Sequence, residues 1–599
     1  MDSERRTNPA RGQDDLDEAS PLLSPRSSEG VETPPAVDTA LDPDDRGWLS
    51  DEDVRAHDHE ETKSTWYLIL LTISIGGLQI AWSVETSNFS PYLLSLGISK
   101  SLLAIVWIAG PLSGTLVQPY VGIKSDQCRS RFGKRRPFMV GGAAATIISL
   151  LLLAWTREIV TFILHGIFGV DENGQGVKVT TIVIAIFLVY ILDFAINVIQ
   201  AGIRAFIVDN APTHQQDLAN AWASRLTGVG NIVGYLFGYS DLPKHLWFFG
   251  NTQFKVLCMI ASLAMITTLT VSCLTISERD PRQDPLPAGA GGLLAIFRSL
   301  YRAVRKLPRQ IRAVCLVQFF AWIGWFPFLF YITTYIGEIY VQPIFTAQPD
   351  MTPEEVDVVW EQATRIGTLA LFVFAITSFA ASVILPFFVV NSYKTPEQAA
   401  GTTLVESPAN SRPNGHFASP GHGTSQSRIS RLLPNIPSMT IPWLTLPRAW
   451  LLSHLIFAAL MWLTFLVHTT TGATLLVALI GIPWATTNWA PFALIAAEIS
   501  KRNAIRRGKQ PPSAADEDAD ALDGDVEEGE ESNQAGMVLG IHNVAIAAPQ
   551  ILATLVSSAI FRALQKPRGS VGDESVAWVL RFGGLAALAA AWFCRKVER

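Results

Sequence analysis

Apolar runs set the rhythm of this chain. Twelve stretches recur near 66–86, 101–123, 137–156, 181–206, 219–239, 254–276, 312–336, 364–390, 449–468, 472–497, 536–561 and 576–594. A bilayer core takes about 20 apolar residues per helix, so each stretch predicts a membrane-spanning helix. Short polar links join most of them, and three links are long: 277–311, 391–448 and 498–535. The expectation is an all-α membrane protein with twelve transmembrane helices. The long central link 277–311 divides it into two six-helix bundles, 64–276 and 312–599, behind a disordered cytoplasmic tail, 1–63.

Composition agrees. Of 599 residues, 49% are hydrophobic and 16% charged, against about 25% charged in an ordinary soluble domain. The net charge of −6 hides a polarity. Residues 1–63 carry 18 acids and 7 bases, and Asp516–Glu531 has 10 acids and no base, so the apolar body itself is basic. Six of its bases crowd the second link: Lys124, Arg129, Arg131, Lys134, Arg135 and Arg136. In a soluble protein this stretch would read as a nuclear localisation or nucleic-acid patch. Between two spans it reads as a loop held on the cytoplasmic side, where Lys and Arg collect. The 277–311 and 498–535 links are also basic near the spans, whereas the seventh-to-eighth link is acidic. Both termini are then cytoplasmic. The five cysteines show no CxxC spacing and read as buried thiols, and no metal site is expected.

A repeat supports two halves. "GVGNIVG" (Gly228–Gly234) in the fifth span and "GIHNVAI" (Gly540–Ile546) in the eleventh share Gly-x-x-Asn about half a chain apart. Charges inside spans need a reason, since each costs roughly 2.5–3.5 kcal/mol at a helix centre. Asp193 and Arg204 share the fourth span, eleven residues apart, and so lie on one stripe about 16 Å apart along the axis. That stripe faces a polar cavity if the acid titrates protons and the arginine forks onto hydroxyls or pairs with the acid. The alternative is neutralisation by neighbouring helices for packing alone. Asn197 and Gln200 share the span and are candidate substrate contacts. Glu85 ends the first span, either as an exposed cap or, if the helix runs on past Pro91, as an acid within the cavity. Trp322 and Trp325 sit inside the aromatic-rich seventh span, where they either pack the bundle or offer faces to sugar C–H groups. His542 and Asn543 are the polar pair of the eleventh span, with Asn543 a candidate contact.

Taken together, these segments resemble a known family. "GPLSGTLVQPYVGIKSDQCRSRFGKRRPF" (Gly110–Phe138) is similar to the second-span and loop signature of the plant sucrose/proton symporters and their animal and fungal relatives. These form the glycoside-pentoside-hexuronide branch of the major facilitator superfamily. "NVIQAGIRAFIVDNAP", "ANAWASRLTGVGNIVGYLFG", "WIGWFPFLFYITTYIGE", "GIPWATTNWAPFAL" and "GIHNVAIAAPQIL" extend the resemblance over nearly every span. It is strongest toward fungal sucrose or general α-glucoside permeases. The resemblance implies a major facilitator fold in which two bundles alternate access to a central site. It implies proton coupling and sugar transport at Asp193 and Arg204, with Glu85 matching an acid of the animal and fungal relatives. Gly122, Asp126, Arg131, Gly133, Arg135 and Arg136 resemble the superfamily's cytoplasmic gate, in which Asp126 meets a basic group or a helix N-terminus. The chain departs from the plant branch at Ile332 and Thr334, where that branch has acids, and at Lys100, where it has a histidine.

The expected function is proton-coupled import of sucrose or maltose-like α-glucosides, with protons as the coupling ion and no cofactor. A non-transporting sugar sensor on the same fold, or a transporter of another small solute, is the alternative. No HExxH, GxSxG or His/Cys cluster points to an enzyme. Glu18, Leu22 and Leu23 match an acidic dileucine signal for a sorting adaptor. The plasma membrane is the expected location, with the vacuolar membrane as the alternative.

Overall fold

The computed structural model describes residues 62–172, 174–212, 215–278, 307–390, 441–506 and 531–597. The dileucine motif and most of the three long links lie outside these residues. Twelve long helices follow one another: α1 (Thr65–Ser95), α2 (Lys100–Asp126), α3 (Arg136–Ala154), α4 (Gln175–Asn210), α5 (Gln216–Tyr239), α6 (Gln253–Thr275), α7 (Arg309–Ala347), α8 (Pro353–Phe387), α9 (Leu446–Leu463), α10 (Thr470–Arg506), α11 (Glu531–Leu564) and α12 (Ser575–Cys594). Among the described residues, eleven are long and apolar enough to cross a membrane. The exception is α5, which occupies the predicted fifth position but is more polar, because "SRLTGVGN" interrupts its apolar run.

Local chemistry fixes the helix ends. The Ser64 and Ser99 hydroxyls accept from Tyr67 and Leu102 N–H at the starts of α1 and α2. Thr352 and Glu355 form a reciprocal capping box at α8. Small residues then let helices close up. A Cβ on Gly230 would sit 2.7 Å from the Gly76 carbonyl oxygen, and one on Gly234 would sit 2.5 Å from the Ser83 Cβ. The glycines of the repeat motif thus bring α5 against the backbone of α1, as small-x3-small stripes do in bilayers.

Residues Glu61–Arg599 make one compact unit. Within it, α1 packs on α5 and α6, and α4 on α2 and α3. In the second half α7 packs on α11 and α12, α8 on α10, and α9 on α10 and α12. The halves meet along α5 against α8 and α2 against α11. Side chains such as Ile148, Val183, Phe187, Leu475 and Leu555 stay exposed on the outer faces, as lipid contact requires.

The two ends of the bundle differ. At one end the start of α1, the α2–α3 loop and the α4–α5 link gather: Lys63 N–H donates to Gln215 Oε1 at 2.9 Å, and Arg135 Nε to Asp209 Oδ2 at 2.7 Å. This is the basic end. Several hydrogen bonds and ion pairs join the two halves at the other, far end. They include Ser90 Oγ to the Phe330 carbonyl (2.8 Å), Ser558 Oγ to the Ser101 carbonyl (2.8 Å), Gln253 N–H to Glu361 Oε1 (3.0 Å) and Arg365 with Asp241 (3.3 Å). The structure is therefore closed at the far end.

Candidate functional site

Two acids meet in the middle of the first half. α1 does not end at Glu85. It passes through one π-helical turn, Glu85–Phe89, and continues to Ser95. Such turns add a residue to the helical repeat and often mark functional positions. Glu85 is 1% exposed, so it is an interior acid and not a cap. Asp193 on α4 is fully buried, and the two carboxyls are electrostatic neighbours. None of their four oxygens has a hydrogen-bond donor. Gly110 on α2 leaves room beside them: a Cβ there would lie 3.7 Å from Asp193 Oδ1.

One turn along α4, Asn197 is held by three neighbours. Its Nδ2 donates to Ser113 Oγ at 2.8 Å and to the Asp193 carbonyl at 2.9 Å, and its Oδ1 accepts from Gln118 Nε2 at 2.7 Å. Gln200 follows, half-buried. Arg204, further along α4, is exposed. It makes no ion pair with Asp193, because three helical turns separate them.

A second polar wall runs between α1 and α5, and sequence reasoning did not find it. Gln79 Nε2 donates to Asn231 Oδ1 at 2.9 Å, Ser83 Oγ donates to the same oxygen at 3.1 Å, and Thr86 and Tyr235 hydroxyls meet at 3.3 Å. The available signal was the repeat itself, since Asn231 is the asparagine of Gly-x-x-Asn.

The chain has clear relatives. It is 36% identical over 562 residues to the general alpha-glucoside permease of Schizosaccharomyces pombe, covering 90% of this chain and 94% of that one. The chain belongs to the family of sucrose and α-glucoside permeases. Sucrose transport protein SUT3 of Oryza sativa subsp. japonica is 29% identical over 321 residues, 51% of this chain and 60% of that protein. Among solved structures, a D-xylose–proton symporter (13% identical, TM-score 0.46) covers 89% of this chain and 97% of its own. The nucleoside transporter NupG (11%, 0.48) covers 90% of this chain and 100% of its own. No family model matches. The protein is an all-helical integral membrane transporter and not an enzyme.

In this permease the candidate residues of the second half are aromatic rings and a neutral amide. Trp325 is fully buried, its ring 4.0 Å from Phe457 and 5.0 Å from Trp484. It backs the wall of the second half and does not form its surface. Trp322, half-buried, meets Trp484 edge-on at 6.0 Å. His542 packs on Phe492 at 4.9 Å and meets Gln318 Nε2 at 3.2 Å, while Asn543 beside it is half-buried.

The basic loop of the permease folds back onto its own half. Gly133 has φ +108°, and a Cβ there would lie 2.5 Å from the Glu278 carboxyl carbon. Glu278 in turn accepts from the backbone N–H groups of Lys134, Arg135 and Arg136 at 2.7, 2.9 and 3.0 Å, capping α3 from outside the loop. Arg135 pairs with Asp126 and Asp209, and Arg136 with Glu278 at 3.7 Å. Arg131 stacks on Phe132. No side chain approaches the Cβ position of Gly122. Asp126 thus meets a basic group, as the family motif implies, but within the first half.

Proposed function

We propose that this permease imports sucrose or maltose-like α-glucosides together with protons. The observation that carries the reading is the Glu85–Asp193 pair. Two carboxylates side by side, buried and without a donor, cost several kcal/mol if both are ionised. One proton between them makes the pair chemically complete, because the O–H of one acid donates to the other. A proton is thus the smallest cargo this site accepts, and its arrival and departure change the charge of the cavity by one.

Sugar recognition falls to the groups around the pair. Arg204 offers a planar fork of donors to vicinal hydroxyls. The amides of Gln79, Asn231, Asn197 and Gln200 supply both donors and acceptors. Asn543, Trp322 and the wall that Trp325 backs would close on the sugar from the second half. The likeness to a general alpha-glucoside permease and to sucrose transporters supports the substrate class. With the basic end cytoplasmic, the closed far end makes this an inward-facing state, in which Arg204 lies on the release path. Parting of the Asp126–Arg135 region from Glu278 or its docking on the second half would close that path in the opposite state. The plasma membrane suits such an importer.

The test is uptake of labelled sucrose and maltose into transporter-deficient yeast at pH 5, with and without a protonophore. Accumulation abolished by the protonophore supports the reading. Uptake indifferent to it makes the protein a facilitator, and the carboxyl pair structural. No uptake of either sugar, with the protein at the cell surface, points to a sensor or another solute.

A further inference from the structure

A charge cluster holds the far-end seam. Lys100 at the start of α2 donates to Glu338 on α7 and, at 2.8 Å, to Asp573 in the α11–α12 link, with Ser575 Oγ at 3.4 Å. The side chains are 13%, 10% and 10% exposed. They line a cavity of about 460 Å³ that both halves share. The cation belongs to the first half and both acids to the second. A lysine at a helix N-terminus also stands against the helix dipole, so this one is held by its acids and not by its helix.

The two acids are not equivalent. Asp573 accepts from the N–H groups of Lys566 (3.0 Å) and Ser575 (2.9 Å) as well as from Lys100. Burial pushes its carboxyl up, Lys100 and these donors pull it down, and the net lies below the ordinary value. Glu338 has Lys100 as its one hydrogen-bond donor among the described residues. The other charges around the cavity are engaged elsewhere: Arg568 with Asp357 at 2.9 Å, Lys566 Nζ with the Val571 carbonyl at 3.1 Å, and Glu574 with Arg581 at 3.5 Å.

We propose that Lys100, Glu338 and Asp573 are the far-end gate, and that opening it requires a proton on Glu338. When the halves part at this end, Lys100 leaves with the first half. Glu338 and Asp573 then stay together without the cation that separated them. Like charges so placed disfavour joint ionisation, so a proton on Glu338 both releases Lys100 and removes the repulsion left in the open state. By linkage, acid outside favours opening. This proton site is separate from the Glu85–Asp193 pair and would time the exposure of that pair to the acidic side. The inference rests on the reading of the far end as extracellular, and not on which sugar is carried.

The test labels cysteines from outside intact cells with a membrane-impermeant maleimide, without sugar. Ser90→Cys reports opening, since Ser90 is 1% exposed and bonded across the seam. Ser570→Cys, exposed in the α11–α12 link, is the reference at each pH, and dividing by its rate cancels the thiolate fraction. The unsubstituted chain gives the background. The relative rate at Ser90→Cys should be about tenfold higher at pH 5 than at pH 7.5, a shift of about 1.4 kcal/mol in the gate equilibrium. Adding Glu338→Gln should leave a high rate at both pH values, and Glu338→Asp should restore the pH dependence. A pH dependence that survives Glu338→Gln overturns the proposal, as does its absence from the parent. An unlabelled Ser570→Cys in protein present at the surface overturns it too, by placing this end in the cytoplasm. Each outcome is read without transport, so it is independent of whether sugar uptake is found.

Discussion

The Gln79 amide donates to Asn231 Oδ1 at 2.9 Å, tying α1 to α5 beside the carboxyl pair. In the second half Gln318 on α7 meets His542 on α11 at 3.2 Å. The two contacts join equivalent helices of the two halves, yet only the first is made of two amides. The first half therefore keeps spare donors and acceptors for a polyol, whereas its counterpart packs a ring against Phe492. Asn231→Ala should raise the KM for sugar about two- to tenfold, the 0.5–1.5 kcal/mol of a neutral hydrogen bond, with maximal uptake nearly kept. Initial-rate uptake against sugar concentration checks this. An unchanged KM would make the amide pair a packing device.

Much of this architecture was legible before the structure. Apolar runs of bilayer length leave little freedom, so twelve helices could be placed, including α5 despite its polar centre. Asp193 and Arg204 announced themselves as charges in oil. Glu85 stood out with them but stayed open between a cap and a cavity acid, because whether α1 stops or continues depends on a π turn that apolar periodicity does not encode. Gln79 and Asn231 were hidden for a different reason: neutral amides are cheap enough in a span to pass without comment. The Lys100 cluster joins residues 238 and 473 positions apart, a pairing created by the docking of the halves and by nothing local. Trp322 and Trp325 looked alike in sequence, and only packing separates the half-buried ring from the enclosed one.

Proton coupling separates chemistry from binding. Asp193→Asn should abolish protonophore-sensitive accumulation while sugar exchange down its own gradient persists, because the amide keeps the shape but carries no removable proton. Glu85→Gln should act in the same direction, and the double variant should be no worse than either alone if the pair works as one unit. Accumulation and counterflow assays on the same vesicles give both readings. Retained uphill accumulation in Asp193→Asn would remove this residue from the coupling site.

Arg204 tests geometry against charge. Arg204→Lys preserves the charge and loses the planar fork, while Arg204→Gln loses both. If the fork grips hydroxyls, both variants should lose about tenfold or more in uptake efficiency, in line with the roughly 1.5–3 kcal/mol of charged hydrogen bonds. Uptake efficiency of Arg204→Lys equal to that of the parent would leave only a general electrostatic role.

The basic loop offers a stability contrast between two glycines of one motif. At Gly133 the backbone is left-handed and a Cβ would strike the Glu278 carboxyl. Gly133→Ala therefore meets strain of about 1–2 kcal/mol and also displaces the acid that caps α3, a loss of about 0.5–2 kcal/mol. Gly122 lies within α2 with open space at its Cβ position, so Gly122→Ala should gain up to about 1 kcal/mol of helix propensity. In detergent, the Tm of Gly133→Ala should fall and that of Gly122→Ala should hold or rise. Glu278→Gln should fall on the same side as Gly133→Ala but by less, since an amide oxygen still accepts backbone N–H groups without the charge that favours a helix N-terminus. Equal melting of Gly133→Ala and Gly122→Ala would mean that the Glu278 cap does not hold the loop.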